Sequence, residues 1–214
     1  MRADDGDDSV PPVVLQQTDA GDHAHVHTLR DGAHLLVRSL QPGDRDEIAD
    51  GYEHLSPESR RLRFFNAPDH LSERLLDYLT DVDGVDRVAL VARAIDEPGT
   101  PGVGVARYAR DRRDPTTAEV AVTVLDTHRN RGIATILLTS LVDEAVANGI
   151  TTFTASVMWE NQMLLDGLRQ FGATVVPDEP GVAAVSVDLP RDATVFVGSP
   201  LHRVLHAVAA RLGR

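Results

Sequence analysis

At 214 residues the chain can bury one full hydrophobic core, and its lack of cysteine excludes a disulfide framework, a thiolate nucleophile and a cysteine zinc site. A formal net charge of −12 would repel a phosphate backbone; it argues against nucleic acid and admits a cationic acceptor such as an amine. All 21 basic residues are arginine, and no apolar stretch approaches the ~20 residues that span a bilayer, so no membrane association is expected. The acidic start, Met1-Arg-Ala-Asp-Asp-Gly-Asp-Asp, lacks the apolar centre of a signal peptide, and a cytoplasmic location is the default.

Residues 1–28 are rich in Asp, Pro, Gln and His without sustained periodicity and read as a flexible acidic tail. His23, His25 and His27 alternate, but no partner of zinc-site spacing accompanies them, and no metal site is expected. Asp31-Gly32 is a hairpin signal between Val26–Leu29 and the strand His34–Leu40. Pro42-Gly43-Asp44 stops that strand and starts a helix from Arg45 to about His54. Ser56-Pro57-Glu58 caps a second helix that runs through Arg63-Phe64-Phe65. A third helix, Ser72–Thr80, has Leu71, Leu75, Leu76 and Leu79 on one stripe.

The period then changes from helical to alternating. Strands are expected at Arg87–Ala94, Val103–Ala109 and Ala118–Leu125, with turns at Glu97–Gly102 and Arg110–Pro115. A long helix, Ile133–Asn148, ends at Asn148-Gly149. It is followed by a strand Thr152–Val157, a helix Asn161–Phe171 and a closing hairpin, Ala173–Val176 with Ala183–Leu189. Ser199-Pro200 caps an amphipathic helix in a C-terminal extension, 191–214. The order predicts an α+β domain over 29–190 with a mixed, mostly antiparallel sheet flanked by helices.

Arg129-Asn130-Arg131-Gly132-Ile133-Ala134 links a β-branched strand to the long helix. A basic, glycine-bearing turn that opens a helix after a strand is suited to a diphosphate, because helix-start amides and the dipole attract anions. A dinucleotide fold wants three glycines early in the chain, and a Walker loop wants a lysine; neither pattern is present.

The loop does resemble that of the GNAT superfamily of N-acetyltransferases, Arg/Gln-x-x-Gly-x-Gly/Ala, through Arg129, Gly132 and Ala134. The likeness covers roughly residues 29–189. Leu55-Ser-Pro-Glu-Ser-Arg-Arg-Leu-Arg-Phe-Phe65 and Ala118-Glu-Val-Ala-Val-Thr-Val124 are similar to stretches of bacterial Pat-type protein lysine acetyltransferases. The likeness is to their acetyltransferase domain; 214 residues leave no room for the added regulatory domains of that group.

The resemblance implies a V-shaped splay between the fourth and fifth core strands and acetyl-CoA as co-substrate. It implies direct acyl transfer from this coenzyme A thioester to a primary amine, with Glu119 as general base. From its position alone, Glu119 is either such a base, partly buried at the start of an apolar strand, or an exposed carboxylate on a strand end. By the family's pattern Val122 N–H would polarise the thioester carbonyl, Val124 would bond the pantetheine arm and Thr123 would lie between them. Arg129, Asn130, Arg131, Gly132, Ile133, Ala134 and Thr135 would wrap the pyrophosphate. Asn161 would contact coenzyme A or serve as a plain helix cap.

Where many members carry a tyrosine as general acid, this chain has Leu168. Arg63, Phe64 and Phe65 would border the acceptor, or the two aromatics would simply be core. The acceptor expected first is a protein lysine; a polyamine or an aminoglycoside is the alternative. A non-catalytic acyl-CoA-binding module is the reading of another class, and a homodimer is left open.

Overall fold

The computed structural model describes residues 24–65, 68–170 and 172–189. Eight strands form one sheet in the order β1-β2-β3-β4-β5-β6-β8-β7. They are β1 (His25–Thr28), β2 (His34–Ser39), β3 (Arg87–Ala94), β4 (Gly102–Arg110), β5 (Thr117–Val124), β6 (Thr152–Met158), β7 (Thr174–Pro177) and β8 (Val182–Asp188). The helices are α1 (Arg45–Glu53), α2 (Pro57–Phe64), α3 (Glu73–Thr80), α4 (Ile133–Ala147) and α5 (Gln162–Gln170). Every pair of neighbouring strands is antiparallel except β5 with β6, as a mixed GNAT-type sheet requires.

Local chemistry sets the helix starts. Ser56 accepts the Ser59 amide at 3.2 Å with Pro57 in the first turn, and Ser72 accepts the Leu75 amide at 3.3 Å. α4 is apolar along most of its length. It buries Ile133, Leu137, Leu141, Val142 and Ala145 against one face of β3, β4 and β5. That contact, with Leu35, Val37, Val103, Ala106 and Tyr108, is the main core. Tyr108 is fully buried and keeps its hydroxyl satisfied: it donates to Val85 O at 3.0 Å and accepts from Asn148 Nδ2 at 2.9 Å.

The other sheet face is covered by α1, α2 and α3. Ile48 packs on Leu40, Ala89 and Val91, and a smaller cluster joins Tyr52, Leu55, Leu71 and Leu76. α5 lies over the second part of the sheet, where Leu165 packs with Val157, Ala183 and Val185.

The expected boundary at residue 28 falls inside the sheet. β1 pairs with β2 from His25↔Val37 to Thr28↔His34, so residues 25–28 belong to the domain rather than to the tail. The cause is the tight hairpin at Asp31-Gly32, where Gly32 takes φ +85° and Leu29 N–H reaches Ala33 O at 2.7 Å. The rest of the tail with His23, the C-terminal extension and its amphipathic helix lie outside the described residues.

Candidate active site

The site begins with a divergence of strands. β5 pairs with β6 at Thr117↔Thr152, Ala118↔Phe153 and Glu119↔Thr154, and there the pairing ends. β5 continues along β4 to Val124, while β6 continues along β8 to Met158. The two strands therefore open into a V whose apex is at Glu119. Leu125 N–H bonds back to Val103 O at 2.9 Å. Backbone direction alternates every residue in a strand, so the amides of Val122 and Val124 point into the opening. A strand edge inside a domain invites an extended ligand that brings its own amides and carbonyls. The pantetheine arm of coenzyme A has those groups.

The loop after β5 supplies the second part. A single 3-10 turn, Asp126–His128, leads into Asn130 at φ +67° and Gly132 at φ +87°. Gly132 is the N-cap of α4, and Ile136 N–H bonds back to Gly132 O at 3.1 Å. The amides of Gly132, Ile133 and Ala134 thus precede the first intrahelical bond, at the positive end of a 15-residue helix with no acidic residue in its first turn. Thr135 is buried one turn into the helix.

The loop arginines have partners within the chain. Arg129 Nη2 donates to Ser59 Oγ at 2.7 Å and pairs with Asp126 at 3.0 Å. Arg131 pairs with Asp31 at 2.7 Å and with Glu97 at 3.3 Å. Both guanidinium groups are committed to carboxylates of this chain, which outcompete water for a cation. Glu97 also meets His128 Nε2 at 3.0 Å and so ties the β3–β4 turn to the loop.

Glu119 is exposed rather than partly buried, because the V opens beside it. On β4 and β5 the pairs Ala109↔Glu119 and Arg107↔Ala121 put Glu119, Ala121 and Arg107 on one face of the sheet. Two spaces flank this face. A wide groove of about 1380 Å³, open to solvent, contains Glu119 together with Tyr78, Thr154, Ser156 and Asp178. A second space, also open on one side, lies under α1, α2 and α3 and is lined by Arg63, Phe64, Val105, Arg107, Ala121 and Thr123.

Of the three candidate acceptor-side residues, Arg63 and Phe64 line that cavity, and Phe64 also packs edge-on against Tyr52 at 5.2 Å. Phe65 is turned out to solvent at the end of α2, with φ +58°. Asn161 acts as a helix cap: its Oδ1 accepts the Leu164 amide at 3.4 Å. Leu168 packs with the α5 cluster and offers no proton.

Sequence reasoning missed Arg107 and Asp126. Arg107 is buried, and that burial pushes its guanidinium down from the usual range, with the Tyr78 hydroxyl and Glu119 opposing. Burial, and then Arg107, do the same to Arg63. An arginine in the middle of an apolar strand was the available signal. Asp126 accepts Ser56 N–H at 2.9 Å and Ser59 Oγ–H at 2.7 Å besides its pair with Arg129, which welds the start of α2 to the phosphate loop.

Comparison with known proteins agrees with this geometry. Residues 50–170 match the model of the acetyltransferase (GNAT) family. A Pseudomonas aeruginosa acetyltransferase is 36% identical over 129 residues, 60% of this chain and 68% of that protein. The acetyltransferase Pat of Mycolicibacterium smegmatis is 31% identical over 169 residues, 78% of this chain but 49% of that protein. The chain thus spans about half the length of that relative. Among solved structures, the GNAT domain of Streptomyces lividans PAT superposes with a TM-score of 0.68 at 32% identity, covering 78% of this chain and 97% of that one. The strand divergence, the helix-start loop and these matches lead to one statement: the chain belongs to the GNAT family and is an acetyl-CoA-dependent acetyltransferase.

Proposed function

We propose that this chain acetylates the side-chain amine of lysine in protein substrates, by direct attack of the amine on the thioester of acetyl-CoA. The observation that carries the reading is the groove at Glu119: it is wide, open and lined by charges of both signs, with Asp86, Asp111 and Asp178 beside Arg87, Arg110 and Arg112. A polypeptide presents both signs along its length, whereas a polyamine calls for a closed and uniformly acidic pocket. The likeness to Pat proteins supports the same acceptor.

A lysine ammonium starts near a pKa of about 10.4, so a base is needed at neutral pH. Glu119, at the apex of the V, takes the proton, directly or through a water that its exposure admits. The Val122 amide meets the thioester oxygen and Val124 meets the pantetheine arm. The amides of Gly132, Ile133 and Ala134 hold the diphosphate at the start of α4. Leu168 cannot protonate the leaving thiolate. A thiolate is a good leaving group, since thiols are more acidic than the lysine ammonium or an alcohol, and it leaves without a dedicated acid.

Two measurements test this. Acetyl-CoA offered with a proteome extract and with a small-amine panel should yield acetyl-lysine peptides in mass spectra; acetylated small amines alone would refute the protein acceptor. Glu119→Gln should cut kcat about a hundredfold or more at neutral pH; unchanged turnover would remove Glu119 as the base.

A further inference from the structure

Arg107 is 6% exposed, and its Nη2 is buried without a hydrogen bond. Its guanidinium lies 4.4 Å from the centre of the Tyr78 ring, which offers a π face but no counter-charge. Arg63 brings a second guanidinium to the same cavity, over the Phe64 ring at 4.8 Å. Among the described residues neither arginine forms an ion pair. The carboxylate in the cavity wall, Glu47, is already used: it pairs with Arg93 at 3.0 Å and accepts the Gly102 amide at 2.8 Å. Glu119 acts on both from beyond ion-pair distance and offsets only part of the cost of two buried cations, so an anion that reaches the open Nη2 of Arg107 would be favoured.

The cavity borders β5, the strand that also edges the opening of the V, through Ala121 and Thr123. Ala121 separates Arg107 from the opening of the V, and its small side chain leaves the way clear. We propose that the cavity receives the acyl group of the donor, and that Arg107 with Arg63 selects a chain ending in a carboxylate, as in a short dicarboxylic acyl-CoA. The proposal rests on reading the V as the thioester site. The apolar walls take the methylene groups, and the guanidinium fork binds the terminal carboxylate.

The reaction is the same acyl transfer. The amine nitrogen bonds to the thioester carbonyl carbon and the C–S bond breaks. The amine proton passes to Glu119 and then to solvent, and the thiolate takes a proton to leave as coenzyme A. The distal carboxylate keeps its charge and does not react. An acceptor lysine would change from positive to negative rather than to neutral.

Calorimetric titration of the full chain needs no acceptor. The probes are CoA, acetyl-CoA, butyryl-CoA and succinyl-CoA, the last two alike in length but different at the tip. Succinyl-CoA is expected to bind at least tenfold more tightly than butyryl-CoA. Arg107→Leu and Arg63→Leu should each erase that ratio, with Arg107→Lys in between. Arg63 is partly exposed, so its variant keeps the test available if the Arg107 variant does not fold. Binding of CoA with no succinyl preference, or a preference that survives both leucine variants, overturns the proposal alone. Failure to bind CoA overturns the thioester-site reading and this proposal with it.

Discussion

Replacing Asp126 by alanine removes the carboxylate that joins α2 to the phosphate loop, and the cost follows from its partners. It accepts the Ser56 amide at 2.9 Å, the Ser59 hydroxyl at 2.7 Å and the Arg129 guanidinium at 3.0 Å. Hydrogen bonds to a charged group contribute about 1.5–3 kcal/mol each. The side chain is 30% exposed, so water replaces part of what is lost, and we expect about 2–3 kcal/mol in total. For a domain of this size that is a fall in Tm of about 5–10 °C.

The pH dependence has a definite sign. Burial would raise the Asp126 carboxyl, but the Ser56 amide, the Ser59 hydroxyl and Arg129 together hold it below its usual 3.8. Its folded value is depressed, so its contribution is complete above the unfolded value and disappears as pH falls through the folded one. Thermal unfolding of the parent and of Asp126→Ala should show the full gap at pH 7, narrowing below about pH 4. A gap under about 2 °C at pH 7, or one that persists unchanged at pH 3, would refute the reasoning.

Other changes test separate parts of the structure. Gly132→Ala must hold φ +87° with a side chain, at about 1–2 kcal/mol, and should weaken CoA binding as well as lower Tm; equilibrium titration and melting check both. Asp44→Asn breaks the twin 2.7 Å bonds to Arg38 at a site 7% exposed, and about 3–5 kcal/mol is expected in urea unfolding. Arg38 holds the Asp44 carboxyl low, so that stability too is present above 3.8 and is lost in acid. Tyr108→Phe removes one hydrogen bond each from Val85 O, which keeps Arg110 Nη2, and from Asn148 Nδ2, which keeps Gly84 O, and should cost about 0.5–1.5 kcal/mol. In the parent, burial pushes the Tyr108 hydroxyl up to about 12 and raises that of Tyr52 as well, so an ultraviolet titration should show two of the three tyrosines ionising late.

The local syntax of this chain was open to reading from residues alone. Ser56-Pro57 and Ser72 mark helix starts because a hydroxyl satisfies amides that the helix leaves over. The alternation through Glu119–Val124 gave a strand, and Arg129–Ala134 gave an anion-binding helix start. Arg129 has a local partner in Asp126, but the other contacts of the loop arginines were not legible, because those partners are remote. Arg131 meets Asp31 across 100 positions, and Arg129 meets Ser59 across 70. Glu119 shows the same limit: its strand was evident, but its exposure depends on where β5 parts from β6.

Periodicity and capping are set by neighbours within a few residues, and the sequence by itself determined the order of elements, the strand that bears Glu119 and the turn that opens α4. Charge pairing and burial are set by which faces meet. Only the tertiary structure decided that Arg131 meets Asp31 and Glu97 while Arg63 and Arg107 line one pocket and Arg107 Nη2 stays without a hydrogen bond.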